Sequence, residues 1–235
     1  MIPGRRMESN RIEREITVEA GKVTLEGTLV VPKNARGIVL FAHGSGSSRH
    51  SPRNRYVAEV LQAKGIATLL FDLLTMGEEL MDERTGEIRF DIPLLSKRLS
   101  DATQFIIRDP DISGLRVGYF GASTGAAAAL VAAAELPDII SAVVSRGGRP
   151  DLAGNALPAV AAPTLLIVGG NDEVVIDLNR QALEEIGSSQ KKLVIVPGAT
   201  HLFEEPGTLE EVARLASEWF HRYCVPDNRT KLRSP

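Results

Sequence analysis

The chain has 235 residues, 43% of them hydrophobic and 24% charged, with a formal net charge of −3. That length suffices for one domain of the larger kind, and the composition is that of a soluble folded protein. The slight acidity argues against a nucleic-acid partner, which calls for a basic excess or stripe, and no apolar run reaches the ~20 residues of a membrane span.

The opening MIPGRRMESNRIERE is charged and lacks the apolar stretch of a signal peptide, so cytoplasmic residence is expected. Residues 1–12 read as a flexible tail to a single domain, and residues 225–235 as a second one. Residues 13–19 and 22–31 alternate apolar and polar positions, as half-exposed antiparallel strands do. Next comes a short continuous apolar run at 37–42, the mark of a strand covered on both faces. Similar runs recur at 66–71, 115–120, 139–144, 163–168 and 192–196.

Helical patterns occupy 52–64, 93–108, 125–135, 176–187 and 207–223, while 78–89 (EELMDERTGEIR) reads as a polar loop or short hairpin. Buried strands alternating with helices predict an α/β fold, a mostly parallel sheet with antiparallel N-terminal strands and helices on both faces. Right-handed crossovers put the loops that follow the parallel strands on one edge, where ligands bind in such sheets. Only 17 residues, Arg146 to Ala162, separate the sixth and seventh strands, too few for a full helical cap.

The strand-end loops carry the reactive groups. HGSGSS (43–48) follows the third strand, Gly121-Ala122-Ser123-Thr124-Gly125 the fifth, GGNDE (169–173) the seventh, and GATH (198–201) the eighth. The pentapeptide G-x-S-x-G alone would arise by chance in about one chain in ten of this composition, so its context decides. A strand precedes it and an alanine run, 126–129, follows. Asp172 and His201 then come in the order serine, acid, histidine. A serine hydroxyl is a poor nucleophile until an imidazole takes its proton, and an acid on the other ring nitrogen fixes the tautomer. Glu173 and Asp72 compete for the acid's place, and His43 for the base's. His50 and His221 read as solvent-facing.

With HGSGSSRHSPRNR and FDLLTMGEE beside the serine elbow, the sequence resembles the α/β-hydrolase superfamily over nearly its whole length, and within it the small dienelactone-hydrolase-like branch without a large cap. That branch uses a cysteine nucleophile where this chain has Ser123. The resemblance implies a serine hydrolase, most simply a carboxylesterase acting on a small-molecule ester. It also implies oxyanion donors at the backbone N–H groups of Thr124 and Ser45. A peptidase or thioesterase could use the same triad. Attachment of such domains to phosphoribosyltransferase-like ones elsewhere leaves a non-catalytic binding module as the alternative.

Arg146 and Arg149 leave the sixth strand at the active edge, either to hold a substrate carboxylate or to pair with the acids of 78–88. Met76, Leu80 and Leu157 either line an acyl pocket or simply pack. The basic cluster Arg49, His50, Arg53 and Arg55 reads as a solvated face. No H-E-x-x-H, cysteine–histidine cluster or Walker loop is present, so neither metal nor cofactor is expected. The lone Cys224 excludes an internal disulfide and fits a reducing compartment.

Overall fold

A computed structural model describes residues 6–8 and 11–226. A long N-terminal hairpin joins β2 (Arg11–Ala20) to β3 (Val23–Pro32), and β1 (Arg6–Glu8) pairs antiparallel with the start of β2. The parallel strands are β4 (Gly37–Ala42), β5 (Ile66–Phe71), β6 (Arg116–Ala122), β7 (Ile140–Arg146), β8 (Thr164–Gly169) and β9 (Lys191–Val196). Together they form one sheet in the order β1-β2-β3-β5-β4-β6-β7-β8-β9. Every residue of β4, β5 and β8 is buried, which is why these strands read as unbroken apolar runs.

The helices are α1 (Pro52–Ala63), α2 (Met76–Thr85), α3 (Ile92–Ile106), α4 (Thr124–Glu135), α5 (Glu173–Glu185) and α6 (Thr208–Cys224). Local chemistry fixes their starts. Ser51 caps α1 by accepting the Asn54 N–H, and Asp91 caps α3 by accepting that of Leu94, each ahead of a proline in the first turn. One face of the sheet packs Leu95, Leu99 and Ile106 of α3 with the alanines of α4. The other packs Val57 and Leu61 of α1 with Val212, Ala216 and Phe220 of α6. Gly118 of β6 is a notch on that second face: a Cβ there would lie 2.7 Å from Phe220 Cε1 and 3.0 Å from Cys224 Sγ.

Chain order reverses at β4, whose neighbours are β5 on one side and β6 on the other. The loops after β4 and β6 therefore part across a crevice at the carboxyl edge, the place where sheets of this kind bind ligands. Ala42 pairs with Gly121, which sets the glycine loop of β4 directly beside Ser123.

Three expectations change. Residues 6–8, 11 and 12 are strand rather than tail, held by pairing such as Arg6 with Glu13; the rest of the 1–12 tail lies outside the described residues. Val225 is buried against α6 and the Pro226 carbonyl accepts from Arg36, so the second tail is confined to residues outside the described ones. The segment read as a loop at 78–89 is mostly helix α2 with a 3-10 turn at Ile88–Phe90. A capping box starts that helix: the Thr75 hydroxyl accepts the Glu78 N–H and Glu78 accepts the Thr75 N–H, while Gly86 ends it in the left-handed region. The β7–β8 connection keeps to its short length: a 3-10 segment, Pro150–Ala159, occupies it in place of a large cap.

Candidate active site

Ser123 occupies φ 51° and ψ −122°, between the last residue of β6 and the first of α4. Positive φ is costly for a residue with a Cβ, and such strain collects at functional turns. Two glycines make the turn sterically possible. A Cβ on Gly121 would lie 2.4 Å from the Ala126 Cα, and one on Gly125 would lie 2.2 Å from the Ala42 carbonyl oxygen. Ser123 stands at the N-cap of α4 without a side-chain cap bond, so its hydroxyl is not spent on the helix. Its main chain is clamped instead: its N–H donates to the Arg146 carbonyl at 3.3 Å and its own carbonyl accepts from the Arg149 N–H at 3.1 Å.

Asp172 and His201 meet on neighbouring strand-end loops. His201 Nδ1 lies 2.6 Å from Asp172 Oδ2. The loops are tied together by Asn171, whose backbone N–H donates to the Ala199 carbonyl and whose side-chain amide donates to the Gly198 carbonyl. Phe203 anchors the far side of the histidine loop, fully buried at φ 56°. The imidazole edge packs beside Gly147, where a Cβ would lie 3.6 Å from His201 Cε1. With Nδ1 engaged by the acid, Nε2 is the nitrogen left for chemistry.

The rivals are occupied elsewhere. Asp72 accepts the Arg49 backbone N–H at 2.7 Å and pairs with its guanidinium. Glu173 is exposed in the first turn of α5. His43 uses both ring nitrogens, accepting the Leu73 N–H at Nε2 and meeting the Gly44 carbonyl through Nδ1, each at 3.0 Å. Burial holds its pKa below the usual histidine range, so it stays neutral and braces the loop after β4.

That loop faces the elbow closely. A Cβ on Gly44 would lie 2.9 Å from the Ser123 Cβ, and Ser45 Oγ lies 3.1 Å from Thr124 Oγ1. The Thr124 N–H, in the first turn of α4, has no intrahelical acceptor and sits at the positive end of the helix dipole. From this point a cleft of about 70 Å³ runs under α2, with Ser45 and Thr124 at its mouth. Leu73, Leu74 and Leu95 supply its apolar surface, Glu79, Asp82 and Glu83 its α2 side, and Arg89 of the following 3-10 turn closes it.

The dienelactone hydrolase family model matches residues 25–223, from β3 to α6 and so across every loop just described. The chain belongs to the dienelactone hydrolase family. The crystal structure of dienelactone hydrolase from Anabaena variabilis ATCC 29413 is 63% identical, with a TM-score of 0.89 over 92% of this chain and 99% of that one. A provisionally named phosphoribosyl transferase of Mycobacterium tuberculosis strain H37Rv is 61% identical over 215 residues, 91% of this chain and 47% of that protein. The chain thus spans about half the length of that relative. A cold-adapted esterase from an Arctic intertidal metagenomic library shares the fold at 18% identity, with a TM-score of 0.73 over 92% of this chain and 97% of that one. The architecture is the α/β-hydrolase fold, and the family is one of hydrolases.

The three residues expected to bind substrate, Met76, Arg146 and Arg149, do not line the cleft. Met76 begins α2 at 79% exposure and does not line it. Arg149 pairs with Asp151 at 2.7 Å, not with the acids of 78–88. Two of those acids are bound within their own segment or to α3, through Asp82–Arg89 and Glu78–Arg98. Arg146 turns into the α1 face, where its best contact is Asn54 Oδ1 at 3.5 Å and its Nε and Nη1 are buried without partners. The basic cluster is partly paired as well, Arg49 with Asp72 and Arg53 with Glu204. The acids of α2 are not legible as cleft residues from periodicity, which predicts a loop over 78–89. The signal that would have found the helix is the Thr75-x-x-Glu78 capping box.

Proposed function

We propose that the chain is a serine esterase that cleaves small neutral or weakly charged esters through an acyl-Ser123 intermediate. The observation that supports this reading is the Asp172–His201 pair at 2.6 Å, on the same sheet edge as a serine held at positive φ on a glycine turn. In this reading Ser123 Oγ attacks the ester carbonyl while His201 Nε2 takes its proton. Asp172 holds the Nδ1–H and stabilises the imidazolium that forms. The developing oxyanion is received by the N–H groups of Thr124 and Ser45, which are fixed before the reaction and need no reorganisation. His201 then protonates the departing alkoxide, and the same groups activate water to release the acid.

Serine in this elbow makes the base more necessary than a thiolate nucleophile would, since an alcohol is almost wholly protonated at neutral pH. The transferase name belongs to a relative twice as long, and the arrangement described here suits acyl transfer. The test is hydrolysis of p-nitrophenyl acetate and butyrate together with fluorophosphonate labelling located by mass spectrometry. Ser123→Ala should abolish both. Asp172→Asn should lower kcat by roughly 10⁴, the cost of the wrong tautomer in the serine-protease triad. Unchanged turnover in Ser123→Ala would sink the proposal.

A further inference from the structure

The charges around the cleft do not cancel. Arg49 is neutralised by Asp72, Arg98 by Glu78 at 2.6 Å, and Arg89 by Asp82 at 2.8 Å. Asp82 is held closely, for Arg89 also donates its backbone N–H to Oδ1 and its Nη2 to the Asp82 carbonyl. Glu79 and Glu83 remain, one turn apart on α2, and both line the cleft without a salt bridge among the described residues. Burial first, then Asp72 and Glu83, raises the Glu79 pKa against the opposing charge of Arg49, which Asp72 already engages.

The chemistry fixes which part of a substrate enters. His201 must protonate the leaving oxygen, so that oxygen lies on the histidine side of Ser123. The cleft borders Thr124 and Ser45 and no atom of His201. The group on the other side of the carbonyl, the acyl chain, is therefore the one that points into it. A cleft of about 70 Å³ holds a few water-sized groups and suits a short chain, not a fatty one.

We propose, resting on the esterase reading above, that Glu79 and Glu83 make this cleft an acyl pocket selective for short chains ending in a cation and against those ending in a carboxylate. An acyl carboxylate would stand beside two carboxylates that no salt bridge neutralises, and an ammonium would be attracted by both. Each such charge is worth on the order of tenfold at the separations and dielectric of a half-open cleft.

The test compares three ethyl esters of similar size by pH-stat: ethyl 3-aminopropionate, ethyl butyrate and monoethyl succinate. The expected order of kcat/KM is ammonium, neutral, carboxylate, with about a hundredfold between the ends. That ratio should shrink as salt is raised to molar levels, and should collapse toward unity in Glu79→Gln/Glu83→Gln. Both side chains reach solvent, and a melting curve checks that the double variant folds. Hydrolysis of ethyl butyrate without this order, or a ratio that survives the double substitution, overturns the selectivity while leaving the esterase reading intact. Failure of all three esters together with absent labelling of Ser123 overturns both.

Discussion

Methionine in place of Arg146 should make the protein more stable. The guanidinium is 8% exposed, two of its nitrogens are buried without partners, and Arg53 adds like charge. Burial, and then that neighbour, pull its pKa from the usual arginine range down to about 10. A tenfold change in proton affinity is worth about 1.4 kcal/mol, so holding this charge costs the folded state about 3 kcal/mol. The sign follows from the direction. With the folded pKa below the unfolded one, the penalty is fully present at neutral pH and is relieved only as pH climbs from about 10 towards 12.5. Methionine keeps much of the apolar stem and removes the charge, and such exchanges at buried ionic sites gain about 1–4 kcal/mol. Urea unfolding at pH 7.5, followed through the fluorescence of the one tryptophan, Trp219, should show a higher midpoint at unchanged slope. A lower midpoint would refute the reasoning, since it would mean the charge is compensated where it stands.

Gly125→Ala should unfold the elbow, because its Cβ would press on two backbone oxygens at 2.2 and 2.4 Å that cannot move aside; thermal melting should fall together with esterase activity. His43 is held neutral by burial, its folded pKa below the usual 6.5, so stability should fall as pH drops through and below that value. His43→Gln, which retains an acceptor for the Leu73 N–H, should flatten that decline in unfolding measurements between pH 8 and pH 5. Cys224 is wholly buried, with its thiol pushed up to about 12, so Ellman's reagent should leave the native protein unlabelled and react once urea has unfolded it.

The residues most legible in the sequence were those whose surroundings are local. Buried runs such as 37–42 and 66–71 announced parallel strands because both faces are covered, and these runs became β4 and β5. Gly121 and Gly125 flank Ser123 because of a steric demand that any such turn makes. The meeting of Asp172 and His201 was legible only through chain order and the shared sheet edge. Helix α2 was not legible from periodicity, since most of its surface faces solvent and its stability comes from its caps. The partners of Arg146 and Arg149 were beyond reach for another reason. Asp151, two residues away, captures Arg149, whereas the strand's alternation turns Arg146 to the opposite face, away from any acid.

The notch at Gly118 bears on how the protein is made. Phe220 and Cys224 of α6 fill the space left by the missing side chain, beneath the strand that leads into the serine turn. During synthesis that strand is complete about a hundred residues before its filler emerges, and until then its inner surface stands open to water and to other chains. The nascent polypeptide thus carries a finished serine turn well before it can have a finished enzyme. Activity should appear only after α6 has left the ribosome, and the interval before that is when the growing chain most needs shelter.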